Sequence, residues 1–334
     1  MIHPSVYDID RAAETVAEIT QETPCWHASK LSGQYDCNIW LKREDRQKVR
    51  SYKIRGAYCK IKSLSGEQAG LGVVCASAGN HAQGVAYSCS RLGIKAYIFM
   101  PENTPGQKRD AVKYFGGDNV EIVLSGDTFD AASAAALSFA EETGRVFIPP
   151  FNDPEVSAGQ GTVAKEILQT MDSEGISLDY VFVPIGGGGL ASGVGTYIKG
   201  CSPHTKVIGV EPEGAASMKA AFQNGTPVTL PEMNTFVDGA AVRRAGGLTY
   251  EICREVLDDL VSVPEGAVCT SMLHIYNSNG IVLEPAGALS ISALRFCQDK
   301  IRGKNICCVI SGGNNDVARM PEIQRLSDEY EALQ

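Results

Sequence analysis

Apolar runs of four to seven residues alternate with longer stretches whose apolar positions recur at helical spacing, and this rhythm persists from one end of the chain to the other. The runs at 38–42, 71–77, 95–100, 120–124, 145–149, 179–185, 205–211, 257–263 and 305–310 are rich in β-branched and aromatic residues and uncharged at their centres. Strands buried on both faces of a sheet have that pattern. Between them, 80–92, 105–115, 128–142, 155–171, 214–223 and 284–299 read as helices, several opening after Asn, Thr, Ser or Pro, which cap or pre-set a first turn. The alternation predicts an α/β protein built on parallel sheets.

A chain of 334 residues exceeds the roughly 100–200 residues of one domain, so two lobes are expected, each with its own core. No repeat or charged linker separates them. The segment IPPFNDPEV (148–156) is the expected boundary, because its paired prolines and N-D-P turn continue neither helix nor strand. The last stretch, MPEIQRLSDEYEALQ, is a polar helical pattern without a glycine cap, expected to be a helix leading elsewhere.

Composition narrows the partners. The formal charge of -9 repels phosphate backbones and anionic lipid, so neither nucleic acid nor a membrane surface is expected to bind. Eleven cysteines are an odd number in a long chain without a C-x-x-C pair, and Cys307 and Cys308 sit together inside NICCVI, one on each face of an expected strand. They read as small buried hydrophobes in a reduced, cytoplasmic protein. The N-terminus lacks the basic and apolar regions of a secretion signal.

Five segments carry candidate chemistry. In VRSYKIRGAYCKI (49–61), Lys53 opens a helical pattern with Gly56 and Ala57 one turn on, a bare face expected to let a flat ligand reach the lysine. Arg50 and Arg55, together with burial, are expected to lower the lysine pKa toward the neutral amine of Schiff-base chemistry; the alternative is a solvated surface lysine. In VVCASAGNHAQG (73–84), a strand turns through small residues into a helix, and Ser77, Ala78 and Gly79 are expected to leave backbone N–H groups free for a carboxylate or phosphate. Asn80 either aims its amide at a ligand or caps the helix, and His81 is most simply a packed helix-start residue. In VPIGGGGLASGVG (183–195), Gly186 to Gly189 suit a nest of N–H donors around a phosphate. The same loop fits G-x-G-x-x-A at Gly186, Gly188 and Ala191, with Glu211 where a dinucleotide fold places its ribose-binding acid; a structural glycine turn is the third reading. In CCVISGGNND (307–316), Ser311 follows an apolar strand, at the end where open α/β sheets bind ligands. In LEPAGAL (283–289), Glu284 is a helix-start acid or a cofactor contact.

Together and in this order, these segments resemble the pyridoxal-phosphate enzymes of the tryptophan-synthase β-like fold, and among them the threonine dehydratases (threonine ammonia-lyases). The resemblance runs through KREDRQKVRSYKIRGAY, SAGNHAQGVAYS, FMPENTPGQKRDAV, SGDTFDAA, GGGGLASGVGTY, FVDGAAVRR, VLEPAGALS and ISGGNND. It implies two open, twisted, mostly parallel sheets flanked by helices, with a large domain from 1–45 and 151–334 and a small inserted domain at 46–150. It further implies pyridoxal 5'-phosphate held by Lys53, its 3-hydroxyl bonded by Asn80 and its phosphate cradled by Gly186, Gly187, Gly188, Gly189 and Leu190. Ser311 would face the ring nitrogen and Glu284 would lie beside the ring; a monovalent cation belongs to the same expectations. Ser77, Gly79, Asn80 and His81 would grip a substrate carboxylate.

The implied reaction is α,β-elimination on L-threonine, with L-serine as a second substrate, giving 2-oxobutanoate (or pyruvate) and ammonia in isoleucine biosynthesis or threonine catabolism, by a homodimer or homotetramer. A serine hydroxyl does not protonate the ring nitrogen as an aspartate would, which suits prompt loss of a leaving group. Serine and hydroxyaspartate racemases share the scaffold, but the position of Ala78 there resembles a serine that acts as a second base, and a methyl group moves no proton. EPEGAAS (211–217) matches a racemase cation site at Glu211 and Ala215, with Ser217 where an acid is expected. An NAD-dependent dehydrogenase built on the glycine loop and Glu211 leaves Lys53, Asn80 and Ser311 without a role. Biosynthetic members continue into an isoleucine-sensing domain, so the expectation here is a catalytic core without that feedback site.

Overall fold

The apolar runs become the strands of two separate sheets in a computed structural model that describes residues 3–334. The strands are β1 (Cys25–His27), β2 (Asn38–Arg43), β3 (Val73–Ala76), β4 (Ala96–Met100), β5 (Val120–Leu124), β6 (Val146–Phe147), β7 (Tyr180–Pro184), β8 (Lys206–Pro212), β9 (Asp259–Val263) and β10 (Asn305–Ile310). One sheet runs β1-β2-β10-β7-β8-β9 and is parallel except for β1; the other runs β5-β4-β3-β6 and is parallel throughout.

Burial on both faces explains the apolar strands. On β10 the side chains alternate between two cores: Cys308 packs with Leu41, Ile208 and Ile291, whereas Cys307 packs with Val181, Val194 and Ile198. The helix Pro285–Ser292 covers the first face and is buried on every side. Helices Pro154–Ser173 and Gly189–Cys201 cover the second.

Several boundaries differ from the sequence pattern. β1 was not expected, because three residues with two of them exposed leave no apolar run to read. The strand expected at 145–149 shortens to two residues before Pro149 and Pro150, which have no N–H to continue a ladder. The helix expected over 284–299 breaks into Pro285–Ser292, a 3-10 turn Ala293–Phe296 and a short helix Gln298–Ile301, which keep Leu294, Cys297 and Ile301 in the core while Phe296 turns outward. The helix expected from 214 begins at Ser217, after a 3-10 turn at Glu213–Ala215. The C-terminal pattern forms the helix Met320–Glu331, which lies against helix Glu265–Asn279: a Cβ on Gly266 would stand 2.4 Å from Tyr330 Cβ. Among the described residues no helix is long and apolar enough to cross a membrane.

Parallel strands gather their carboxyl ends along one rim, and three of those ends lead directly to Ser77, Gly186 and Ser311.

Candidate active site

Lys53 is the first residue of helix Lys53–Lys62, as its helical pattern predicts, and its Nζ donates to Pro150 O at 2.9 Å. Burial lowers its pKa to about 8, against a smaller upward pull from the Glu284 carboxylate. The flanking arginines do not contribute as expected. Arg55 is fully buried and turned away into a charge network, donating to Glu44 at 2.8 Å and to both oxygens of Glu166, while Arg50 is exposed. Gly56 also differs from its expectation. Its bare face meets Gln160 and Val156 of the neighbouring helix, with a Cβ falling 2.4 Å from Gln160 Nε2, so the glycine serves helix packing and not ligand approach.

The turn after β3 places Ser77, Ala78 and Gly79 half-buried beside the lysine helix, with Asn80 opening helix Asn80–Leu92. Two of the three N–H groups expected to be free are used: Ser77 N donates to Phe99 O at 3.1 Å and Gly79 N to Ser77 Oγ at 3.2 Å. Those of Ala78, Asn80 and His81 meet no protein acceptor among the described residues. Asn80 makes no cap. Its Nδ2 donates to Glu284 Oε1 at 2.6 Å and its Oδ1 accepts from Asn314 Nδ2 at 2.7 Å. His81 is buried with Nε2 2.9 Å from Ile148 O; a carbonyl only accepts, so Nε2 carries the hydrogen. Burial, with Lys53 nearby, drops its pKa to about 3, and the ring is neutral at physiological pH.

Glu284 stands just before helix Pro285–Ser292 without capping it. Its carboxylate instead accepts from Asn80 and, at 3.2 Å, from Asn314 N. Burial and the charge of Asp238 raise its pKa to about 7, opposed by the Asn80 and Asn314 bonds and by Lys108. Ser311 is buried and donates to Ala286 O at 3.2 Å, and its carbonyl receives Tyr52 N at 3.2 Å, tying the end of β10 to the lysine helix.

Gly186 to Gly189 form the turn between β7 and helix Gly189–Cys201. Gly188 has φ of 92°, a left-handed conformation that favours glycine. The turn has no room for side chains: a Cβ on Gly187 would stand 2.3 Å from the Phe151 ring, and one on Gly188 2.7 Å from Met218. Among the described residues, no N–H from Gly186 to Leu190 reaches a protein acceptor, which leaves five donors at a helix N-terminus. Thr249 Oγ1 anchors the turn by donating to Gly187 O. Pro150 and Phe151 join this cradle to Lys53, through the Pro150 carbonyl on one side and the Phe151 ring on the other.

Sequence reasoning missed Asn314, Gly239, Phe151 and Thr249. A Cβ on Gly239 would lie 3.4 Å from Glu284 Oε1, so this residue borders the acid. Asn314 and Gly239 fall inside the quoted segments ISGGNND and FVDGAAVRR, the signal that pointed to their neighbourhood; Phe151 lay in IPPFNDPEV, read only as a boundary, and Thr249 had no signal. Glu211 is buried and accepts from Met218 N at 2.7 Å and Lys219 N at 2.9 Å, so the ribose-binding role of the dinucleotide reading finds its carboxylate already occupied. Among the described residues no cluster of three or more His, Cys, Asp or Glu is placed to hold a metal, and Ser217 Oγ is buried without a partner.

A half-buried amine of lowered pKa beside an anion cradle that side chains would fill suits an aldehyde carrying a phosphate. The comparisons agree. The family description "Pyridoxal-phosphate dependent enzyme" matches residues 16–312. The biosynthetic L-threonine dehydratase IlvA of Halalkalibacterium halodurans is 51% identical over 329 residues, covering 98% of this chain and 79% of that protein. Its counterpart from Staphylococcus aureus is 53% identical over 330 residues, covering 98% and 78%. Among solved structures, the processed form of threonine deaminase isoform 2 from Solanum lycopersicum superposes with a TM-score of 0.91 at 41% identity, covering 96% of this chain and 93% of that one. Maize serine racemase gives 0.89 at 31% identity, covering 99% and 100%. With the match reaching from ahead of Lys53 to the glycine that abuts Glu284, the chain belongs to the pyridoxal-phosphate dependent enzymes.

Proposed function

We propose that this chain is a threonine ammonia-lyase, releasing 2-oxobutanoate and ammonia from L-threonine and acting on L-serine as a poorer substrate. The observation that carries the reading is the half-buried Lys53 amine, linked through Pro150 and Phe151 to the five free N–H groups of Gly186 to Leu190. Two relatives above 50% identity, both named threonine dehydratases, support the substrate.

When bound, pyridoxal phosphate supplies an aldehyde that captures amines and a ring that accepts the electrons released at Cα. Gly186 to Leu190 hold the phosphate by backbone N–H donation and the helix dipole. Asn80 has two amide hydrogens; Glu284 takes one, leaving the other for the ring 3-oxygen, while Asn314 fixes which way the amide points. Ser311 would be the neutral partner of the ring nitrogen, its hydroxyl turning from Ala286 O to the ring. The free N–H groups of Ala78, Asn80 and His81, with the Ser77 hydroxyl, grip the substrate carboxylate. The Lys53 amine would hold the cofactor and, once free as a base, take the proton from Cα; the β-hydroxyl would leave as water, and hydrolysis of the released enamine would give 2-oxobutanoate and ammonia. Ala78 offers no second base on the opposite face, which disfavours racemisation.

We take residues 46–150 as a small domain within a large one of 1–45 and 151–334; β3 to β6, which make a sheet of their own, support this. The expected assembly is a homodimer or homotetramer.

Borohydride treatment of the coloured holoenzyme tests the lysine. It should bleach the visible band and fix a pyridoxyl group to Lys53, read by peptide mass, and Lys53→Ala should lose at least about a thousandfold in keto-acid release while still binding cofactor without a covalent bond. A pyridoxyl mass on another lysine would overturn the assignment.

A further inference from the structure

The halves that carry the two sheets are bridged by charge near the candidate site. Lys108, on helix Gly106–Gly116, lies 2.9 Å from Asp238 of the other half, with 38% and 43% of the two side chains exposed. Asp238 also faces Arg319 at 3.6 Å, and Arg319 is itself pinned by donating to Phe236 O at 2.6 Å. A second pair joins the same halves with opposite polarity, Arg243 to Asp130 at 4.0 Å.

Each end of the Lys108–Asp238 pair belongs to a different half of the active site. Helix Gly106–Gly116 packs on helix Asn80–Leu92: Val112 shares a core with Val85 and Ala86, and a Cβ on Gly116 would stand 3.4 Å from Ala86 Cβ. Lys108 therefore rides with the Ser77–His81 turn. Phe236, Val237 and Ala240 share a core with Ala286 and Leu289, and a Cβ on Gly239 would stand 2.8 Å from Ala286 Cβ. Asp238 therefore rides with Glu284. From inside, the halves are joined by Asn80, through its bonds to Glu284 and Asn314. An amide that also serves a ligand makes a changeable link, whereas the outer pair, with Arg319 and Gly239 N on Asp238, makes no hydrogen bond to the Asn80–Glu284 cluster and acts on Glu284 through charge.

We propose that Lys108 and Asp238 are positioning residues for turnover: their ion pair clasps the two halves together and holds the Ser77–His81 turn in register with Glu284 while an amino-acid substrate is bound. An exposed pair is weak enough to open thermally, so the clasp admits substrate and releases product without unfolding either half. It is also screened by salt, unlike the buried contacts of the site. The proposal rests on the threonine-deaminating reading.

The test is steady-state deamination of L-threonine by the holoenzyme of the parent, Lys108→Met, Asp238→Asn, the double variant and Lys108→Arg, at low salt and at about 0.5 M salt. Each neutralising single variant should raise KM about fivefold, with kcat and the cofactor absorbance held within about twofold. The double variant should be no worse than the poorer single, Lys108→Arg should keep the parent KM, and salt should raise KM in the parent but not in the double variant. Unchanged KM in the singles, or losses that multiply in the double, would overturn the clasp. Amide exchange of residues 77–81 and 234–242 reads the same closure without substrate: faster exchange in Lys108→Met supports the clasp and unchanged exchange contradicts it. That arm keeps a failed clasp distinct from a parent enzyme that does not deaminate threonine.

Discussion

At pH 7 a lysine with a pKa of about 8 is neutral in roughly a tenth of molecules, against fewer than about one in a thousand for an ordinary lysine. Capture of added pyridoxal phosphate by the cofactor-free protein should therefore quicken about tenfold per pH unit below 8 and level off above it, as followed by visible absorbance; a rise continuing past pH 10 would place Lys53 in water. Glu284 obeys the opposite sign. Its folded pKa is raised to about 7, above its unfolded value, so the folded state retains a proton that the unfolded state gives up, and stability falls as pH climbs through that window. The melting temperature of cofactor-free Glu284→Gln, relative to the parent, should shift in the variant's favour by a few degrees between pH 5 and pH 8. A difference that stays flat with pH would mean that Glu284 is not charged there at a cost. Lys53, Asn80 and Ser311 stood out in the sequence because each lies in a local pattern: Lys53 opens a helical stretch, Asn80 follows a strand and a small-residue turn, and Ser311 follows an apolar strand before a glycine turn. Asn314 did not, because its role is a bond to Asn80 from 234 positions away, which only the folded chain brings together.

Helix Lys53–Lys62 is held by closeness on one side and charge on the other. Gly159 of helix Pro154–Ser173 lets the two backbones touch: a Cβ there would stand 2.7 Å from Gly56 Cα and 2.8 Å from Arg55 O. Gly159→Ala gains helix propensity, but it overpacks a rigid crossing, so it should lower stability by about 1–3 kcal/mol in denaturant titration and weaken cofactor retention. A neutral or stabilising result would show that the helices slide apart freely. On the other side, fully buried Arg55 is paired with Glu44 and Glu166, and Glu166 also takes buried Lys42, so removal of any one member would leave the four-charge network unbalanced in the interior. Element positions were legible where periodicity ran long, as in Asn80–Leu92, which matches its expected span, and β10, whose alternation places Cys307 and Cys308 in different cores. They were not legible where tertiary contact decides, as in β1, an exposed three-residue edge paired only with β2.

Across the whole molecule, two mostly parallel sheets direct the ends of β3, β7 and β10 toward one site, each delivering one part of it: the Ser77–His81 turn, the glycine cradle and Ser311. The acidic balance of the chain is no obstacle to a phosphate there, because the cradle attracts anions through backbone N–H groups and a helix dipole, not through net charge. The chain spans 79% and 78% of the two dehydratases with which it was compared. Threonine and serine differ by one methyl group, worth only about 1–3 kcal/mol in a pocket, so the two should both react and differ in degree. The central claim is tested most directly by incubating the purified holoenzyme with L-threonine, L-serine and their D-isomers and following keto-acid release together with the chirality of recovered substrate. The account predicts 2-oxobutanoate from L-threonine at the highest kcat/KM, less pyruvate from L-serine, and no reaction of the D-isomers. Recovery of D-amino acid from an L-substrate without keto acid would contradict it.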